Sequence, residues 1–167
     1  MNTYLPFASF NSLGLLSNAD LAVQVYQARE IIHLLEDAPF GWYKEPASLQ
    51  WYGYIDALKD YYNLCVVNWV RRGFKTDCKP YTDLNLRDAA KLPPWVGDER
   101  VHSYHRSALW HRSPTFYSRY GWAKTDLRPF YPNLHARDDF GKLIYEKEKP
   151  KEFNWNRFFN EFRVETK

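Results

Sequence analysis

The chain of 167 residues has little of several things that narrow what it can be. It holds two cysteines, Cys65 and Cys78, with neither a CxxC pair nor the count of a disulfide framework, which fits two reduced thiols in a cytosol. Seven glycines are too few for a glycine-rich phosphate cradle, and no Walker loop, dinucleotide fingerprint or GxSxG elbow occurs. No apolar run approaches the roughly 18 residues of a membrane span, and MNTYLPFASF lacks the basic start of a secretory signal. No cofactor and no membrane partner is therefore expected, and the expected location is the cytoplasm. There is no HExxH. His102 and His105 share a helical face, but without a third ligand of defined geometry no metal site is expected, and these histidines are expected at the polar surface or against substrate.

What is abundant is aromatic: seven Trp, thirteen Tyr and eleven Phe, 19% of the chain, against 26% charged residues. That composition excludes wholesale disorder and supports one core of ordinary domain size. The net charge of +3 is unevenly spread. Residues 1–60 carry three cations against seven carboxylates. Residues 100–128 carry Arg100, Arg106, Arg112, Arg119, Lys124 and Arg128 against Asp126 alone. A basic block with interleaved Tyr and Trp suits phosphate contact with stacking; the alternative is a solvated face balancing an acidic one.

Periodicity predicts helices and no strand set. Leu21, Val25, Ala28, Ile32 and Leu35 recur at steps of four and three, behind the caps Ser17 or Asn18. Pro39 ends that helix. Trp51, Ile55, Leu58, Tyr62, Cys65 and Trp69 make a second stripe, predicting one helix over about 47–72 with Gly73 as its C-cap. A short turn is expected near 84–90, a third helix from Asp98 to about His111, and a short fourth from Ser113-Pro114 to Gly121. The fold class is all-α, a compact helical domain with long irregular loops. Two parts are expected: 1–132, the helical domain, and 133–167, a C-terminal extension. In that extension a charged link, EKEKPKE, precedes an aromatic helix. Trp155, Phe158, Phe159 and Phe162 share one face there, which either folds back on the body or docks a protein partner or second copy.

Polar residues on the first helix are the candidates for chemistry. Asp20, Gln24 and Gln27 line one face; Arg29, Glu30, His33 and Glu36 line another. Glu30 and His33 at i, i+3 could form an acid–base pair, though such a pair is far more often a surface hydrogen bond.

Several strings together carry a resemblance: TYLPFASF; Leu21-x-x-Gln24; GWYKEPASLQWYGYIDAL at 41–58; NWVRRGFKTDC at 68–78; and LPPWVGDERVHSYHRSALWHRSPTFYSRYGW at 92–122, followed by Tyr131-Pro132. Over about residues 2–132 the chain resembles the bacterial and phage branch of the pyrimidine-dimer DNA glycosylase (endonuclease V-like) family. The resemblance implies a helical domain on damaged duplex DNA, an N-terminal α-amine as nucleophile forming a Schiff base, a glutamate on the first helix as acid–base, and strand scission afterwards.

Departures fall where that chemistry would sit. Gln27 stands where the glutamate aligns, and an amide cannot take up a proton as a carboxylate does. Glu30 is almost a turn further on, rotated by roughly 60°. The branch's Arg-Asn-His-Pro reads Tyr43-Lys44-Glu45-Pro46, and Ala108 replaces an expected Asn. Asn2 is not the small second residue that favours methionine removal, so the amine is expected on Met1. The catalytic candidates are Gln27, Glu30 and the Met1 amine. The DNA-contact candidates are Gln24, Trp42, Tyr43, Lys44, Trp95, His102, His105, Arg106, Arg112 and Arg119, with Trp42, Tyr43 and Trp95 as wedge or stacking surfaces. The expected function is DNA binding on a glycosylase-like scaffold with excision lost or altered, a pseudoenzyme. The alternatives are an active glycosylase and AP lyase in DNA repair, or a protein-interaction or inhibitory module reusing the fold.

Overall fold

The protein is described by a computed structural model covering residues 2–37 and 46–122. Met1, Trp42, Tyr43, Lys44 and the aromatic stripe at 155–162 lie outside the described residues. Within them every regular element is helical. An extended N-terminal segment enters a 3-10 turn, Phe10–Leu15, and is followed by α1, Asn18–Asp37; α2, Pro46–Leu49; α3, Ile55–Arg71; α4, Leu86–Ala89; α5, Glu99–Arg112; and α6, Pro114–Tyr117.

Local chemistry sets these bounds. The Ser17 hydroxyl receives the Asp20 N–H at 3.1 Å and donates to the Asp20 carboxylate at 2.7 Å, a serine cap closed by the acid three residues on. Asp98 caps α5 by accepting from Arg100 N at 3.0 Å. Gly73 and Gly121 take φ of 86° and 66° just after α3 and after the 3-10 turn Ser118–Tyr120, the left-handed exits that glycine makes without Cβ strain.

The single helix expected over 47–72 is two. The apolar stripe is continuous in space, with Trp51, Leu58, Tyr62, Cys65 and Trp69 all buried. The backbone between α2 and α3 nevertheless turns through residues 50–54, with Gly53 at φ 80°. A stripe at steps of four and three reports which side chains are buried and is blind to a turn that keeps them on the same core.

Helices α1 and α3 pack against each other, and α3 also carries the 3-10 turn and α4. Their shared core is aromatic. Trp51 meets Trp95 edge-on, centroids 5.2 Å apart at 90°, and Tyr61 at 5.6 Å; Phe10 meets Tyr61 at 5.6 Å. Each polar handle in this box is used: Trp51 Nε1 donates to Thr3 Oγ1 at 2.8 Å, Trp95 Nε1 to the Gln50 carbonyl at 2.9 Å, and Tyr61 Oη to the Tyr4 carbonyl at 2.9 Å.

Trp95 is thus a correction. It was expected as a DNA wedge but is fully buried, because Pro93 and Pro94 turn the chain so that the indole fills the space between Trp51 and α5. Trp95→Ala should lower unfolding free energy by about 3–5 kcal/mol in urea titration, as for a large buried ring. Trp95→Phe, which leaves the Gln50 carbonyl without its donor, should cost about 1–3 kcal/mol.

Candidate nucleic-acid interface

Residues 2–5 are buried although they form no strand. A buried peptide group must still be paired, and here side chains of α1 and α5 do the pairing. On one side Asn2 N donates to Gln27 Oε1 at 3.0 Å and Tyr4 N to Gln24 Oε1 at 2.7 Å. An extended chain repeats every two residues and a helix face every three or four, so alternate amides of the segment meet successive turns of α1. Tyr61 Oη reaches the same Gln24 oxygen at 2.8 Å.

On the other side α5 holds the next peptide. Leu5 N donates to His105 Nδ1 at 3.1 Å. His102 Nε2 receives the Gly97 N–H at 2.9 Å, so its proton lies on Nδ1, which donates to the Leu5 carbonyl at 2.8 Å. His105 must have the opposite tautomer, with Nδ1 as acceptor. The Leu5 carbonyl also lies 3.3 Å from that nitrogen, whose lone pair cannot serve it. One turn on, Arg106 Nη1 donates to the Pro6 carbonyl at 2.7 Å. Burial pushes the His105 imidazole down to about 3, with His102 and Arg106 adding to the effect against an opposing contribution from the Leu5 backbone. It is neutral at any ordinary pH.

Four DNA-contact candidates are therefore corrected together with their reason. Gln24, Trp95, His102 and His105 are buried and hold the protein's own backbone or fill its core; the i, i+3 spacing of the two histidines serves Leu5 and not a phosphate. Gln27 is half-buried at the edge of the same arrangement. Glu30, the substitute acid, makes a loose pair with Arg29 at 4.0 Å.

The basic block is also less basic than residues 100–128 suggest, because two carboxylates stand just ahead of that window. Arg100 Nη2 meets Asp98 at 2.6 Å, Arg106 pairs with Glu99, and Arg112 Nε meets Asp20 at 2.8 Å. The Asp20 carboxylate is buried and also accepts from Tyr117 Oη at 2.7 Å, whose own oxygen receives the Ser17 N–H at 2.9 Å. Arg106 has a side chain only 16% exposed, with its guanidinium 4.8 Å from the Phe7 ring centroid. Arg119 is exposed and lies over the Phe116 ring at 3.8 Å. The sequence shows these arginines as a run of charge but not Asp20, 92 residues from Arg112, as the partner of one of them.

Several buried polar atoms beside the segment have no partner among the described residues: Asn2 Oδ1, Gln24 Nε2, His105 Nε2, Ser48 Oγ and both ends of the Gln50 carboxamide. No group of three metal-binding side chains occurs among the described residues. No described helix is long and apolar enough to cross a membrane.

Gln24→Leu should strand the Tyr4 N–H, while the Tyr61 hydroxyl keeps the Tyr4 carbonyl as its acceptor, and so lower stability by about 1–3 kcal/mol in chemical denaturation. Gln27→Leu, at a half-exposed position with one such bond, should cost less than about 1.5 kcal/mol.

Comparison with known proteins adds one finding. No curated protein and no solved structure matches the chain. The matched family model spans residues 1–82 and so includes the extended segment, α1, α2 and α3 but not the α5 histidines. Those residues, which hold the Asn2–Gln27 contact, match the model of the pyrimidine dimer DNA glycosylase family.

Proposed function

We propose that this chain binds duplex DNA on a glycosylase-like scaffold without the Schiff-base chemistry that the family resemblance implies. The observation that carries this reading is the 3.0 Å contact between Asn2 N and Gln27 Oε1. It puts the nitrogen of residue 2 beside the first-helix side chain, which is the juxtaposition an amine nucleophile and its acid–base carboxylate would need. Both partners are altered. With Met1 retained, the nitrogen is acylated, so its lone pair is delocalised into a peptide bond and cannot attack a sugar carbon. Gln27 offers an amide oxygen with no proton to give and no basicity to receive one.

Binding would rest on surface cations, with Arg119 and its aromatic neighbour Phe116 as the described pair suited to phosphate and base contact. Trp42, Tyr43 and Lys44 extend this reading to the segment between α1 and α2. Residues 1–132 would form the DNA-binding domain and 133–167 a separate extension whose aromatic stripe meets a protein partner or the body. The cytoplasm, of a bacterium or of a phage's host, is the proposed location.

Incubation of the wild-type protein with dimer-containing duplex should give neither strand scission nor a borohydride-trapped adduct. Intact mass should show Met1 in place. Multiple turnover with a trapped adduct would overturn the reading and favour an active repair enzyme. Duplex affinity should fall with salt, and Arg119→Ala should flatten the logarithmic slope by about one unit. Arg106→Ala should leave the slope nearly unchanged, because that guanidinium is committed to Pro6 and Glu99. A salt-independent affinity, or no binding at low salt, would remove DNA as the partner.

A further inference from the structure

We propose that the two α5 histidines form an acid-sensitive latch on the N-terminal segment, whose release bares the Gln24–Gln27 face of α1 while the rest of the core stays folded. The geometry has two parts. The Leu5 peptide is gripped at both ends by imidazoles of opposite tautomer, His105 Nδ1 as acceptor and His102 Nδ1 as donor. Beyond this grip the segment is held by side chains alone, since none of residues 2–5 is in a strand. A proton on His105 Nδ1 would point at the Leu5 N–H from 3.1 Å, donor against donor. The Leu5 carbonyl, which already accepts from His102 at 2.8 Å, offers that proton only a long second bond at 3.3 Å, and taking it leaves the Leu5 N–H buried without an acceptor. The closed latch therefore excludes the proton and the open one accepts it.

The surroundings support this direction. Around His105 stand Tyr4 from the segment, 5.6 Å between ring centroids, Trp95 from the preceding loop at 6.0 Å, and Tyr104, His102 and Arg106 from α5 itself. Asp98 lies within electrostatic reach of His102 and not among the influences on His105. The named neighbours therefore bring no carboxylate to stabilise a cation at His105, and its burial opposes one, which accounts for the value of about 3. The released imidazole would regain about 6.5.

The linkage sign follows. A histidine depressed in the closed form adds stability above about pH 6.5, and loses it progressively as pH falls toward 3. At pH 5.0 the open form should be favoured by about 30-fold more than at pH 7.5, from one histidine titrating near 6.5 when released. The structural consequence is selective, because α3 is covered by α1, α4 and the 3-10 turn, whereas the segment is held by these side-chain bonds and the burial of Tyr4 and Leu5 alone.

Amide hydrogen exchange on the full chain tests this. After correction for intrinsic exchange rates, protection at Tyr4 and Leu5 should fall about 30-fold between pH 7.5 and 5.0. It should stay at least about tenfold below that of residues 61–65 in α3 at both pH values. His105→Asn, whose carboxamide oxygen can accept the Leu5 N–H without titrating, should make the segment's protection nearly independent of pH. The proposal is overturned if protection at Tyr4 and Leu5 changes less than about threefold. It is also overturned if the segment and α3 share one opening free energy at both pH values, or if His105→Asn keeps the full pH dependence. The wild-type comparison decides the matter even if the variant does not fold. None of these outcomes depends on DNA binding, so the latch and the proposed function fail separately.

Discussion

Everything near the candidate site depends on one requirement: the peptide groups of residues 2–5 are out of water and must be paired without a sheet. An extended segment inside an all-α domain has no neighbouring strand to ladder with. The chain meets the requirement with carboxamides from α1 and imidazoles from α5, so four side chains stand in for two flanking strands. This substitution fixes how α1 and α5 lie relative to the segment. It also fixes where Thr3 meets Trp51 and where Tyr4 meets Tyr61. The aromatic box of Trp51, Trp95, Tyr61 and Phe10 meets this segment through Thr3 and Tyr4.

The same arrangement separates holding from reacting. Gln24 and Gln27 are one helical turn apart and do similar jobs, each accepting a backbone N–H, yet one is buried and the other stands at the edge. A carboxylate at Gln24 would carry a charge into the core at a cost of several kcal/mol. At the half-exposed position 27 a carboxylate would be tolerable, and beside a free amine it would be favoured. The glutamine there accepts the same hydrogen bond without carrying a charge.

The helices were largely legible in the sequence because apolar stripes at steps of four and three are direct records of burial. Caps at Ser17 and Asp98 and glycine exits at 73 and 121 were legible for the same local reason. The break at Gly53 was not, since the stripe from Trp51 to Trp69 runs through it. The site was harder. Gln27 was singled out through the resemblance, and its bond to the nitrogen of residue 2 depends on a fold that no local pattern displays. The histidines were visible as a spacing but were read outward, because a His-x-x-His pair looks the same whether it faces solvent or a backbone 97 to 100 residues earlier. The arginines misled through a choice of window: Asp98 and Glu99 lie just before it, and Asp20 belongs to another helix. Net charge over a stretch of sequence counts residues, whereas a field depends on the partners the fold supplies.

The 100-residue separation between Leu5 and His105 has a consequence for how the protein is made. A ribosome adds roughly 5–20 residues per second, so once Leu5 has been made its peptide groups wait on the order of 5–20 s for the imidazoles that pair them. During that interval α1 and α3 can meet and pair Asn2 and Tyr4 through Gln27, Gln24 and Tyr61, but the Leu5 N–H and carbonyl stay without their partners. Contacts of such long range close late and slow the approach to the native state. The peptide groups of Leu5, made before every helix of the domain, are then among the last to be paired.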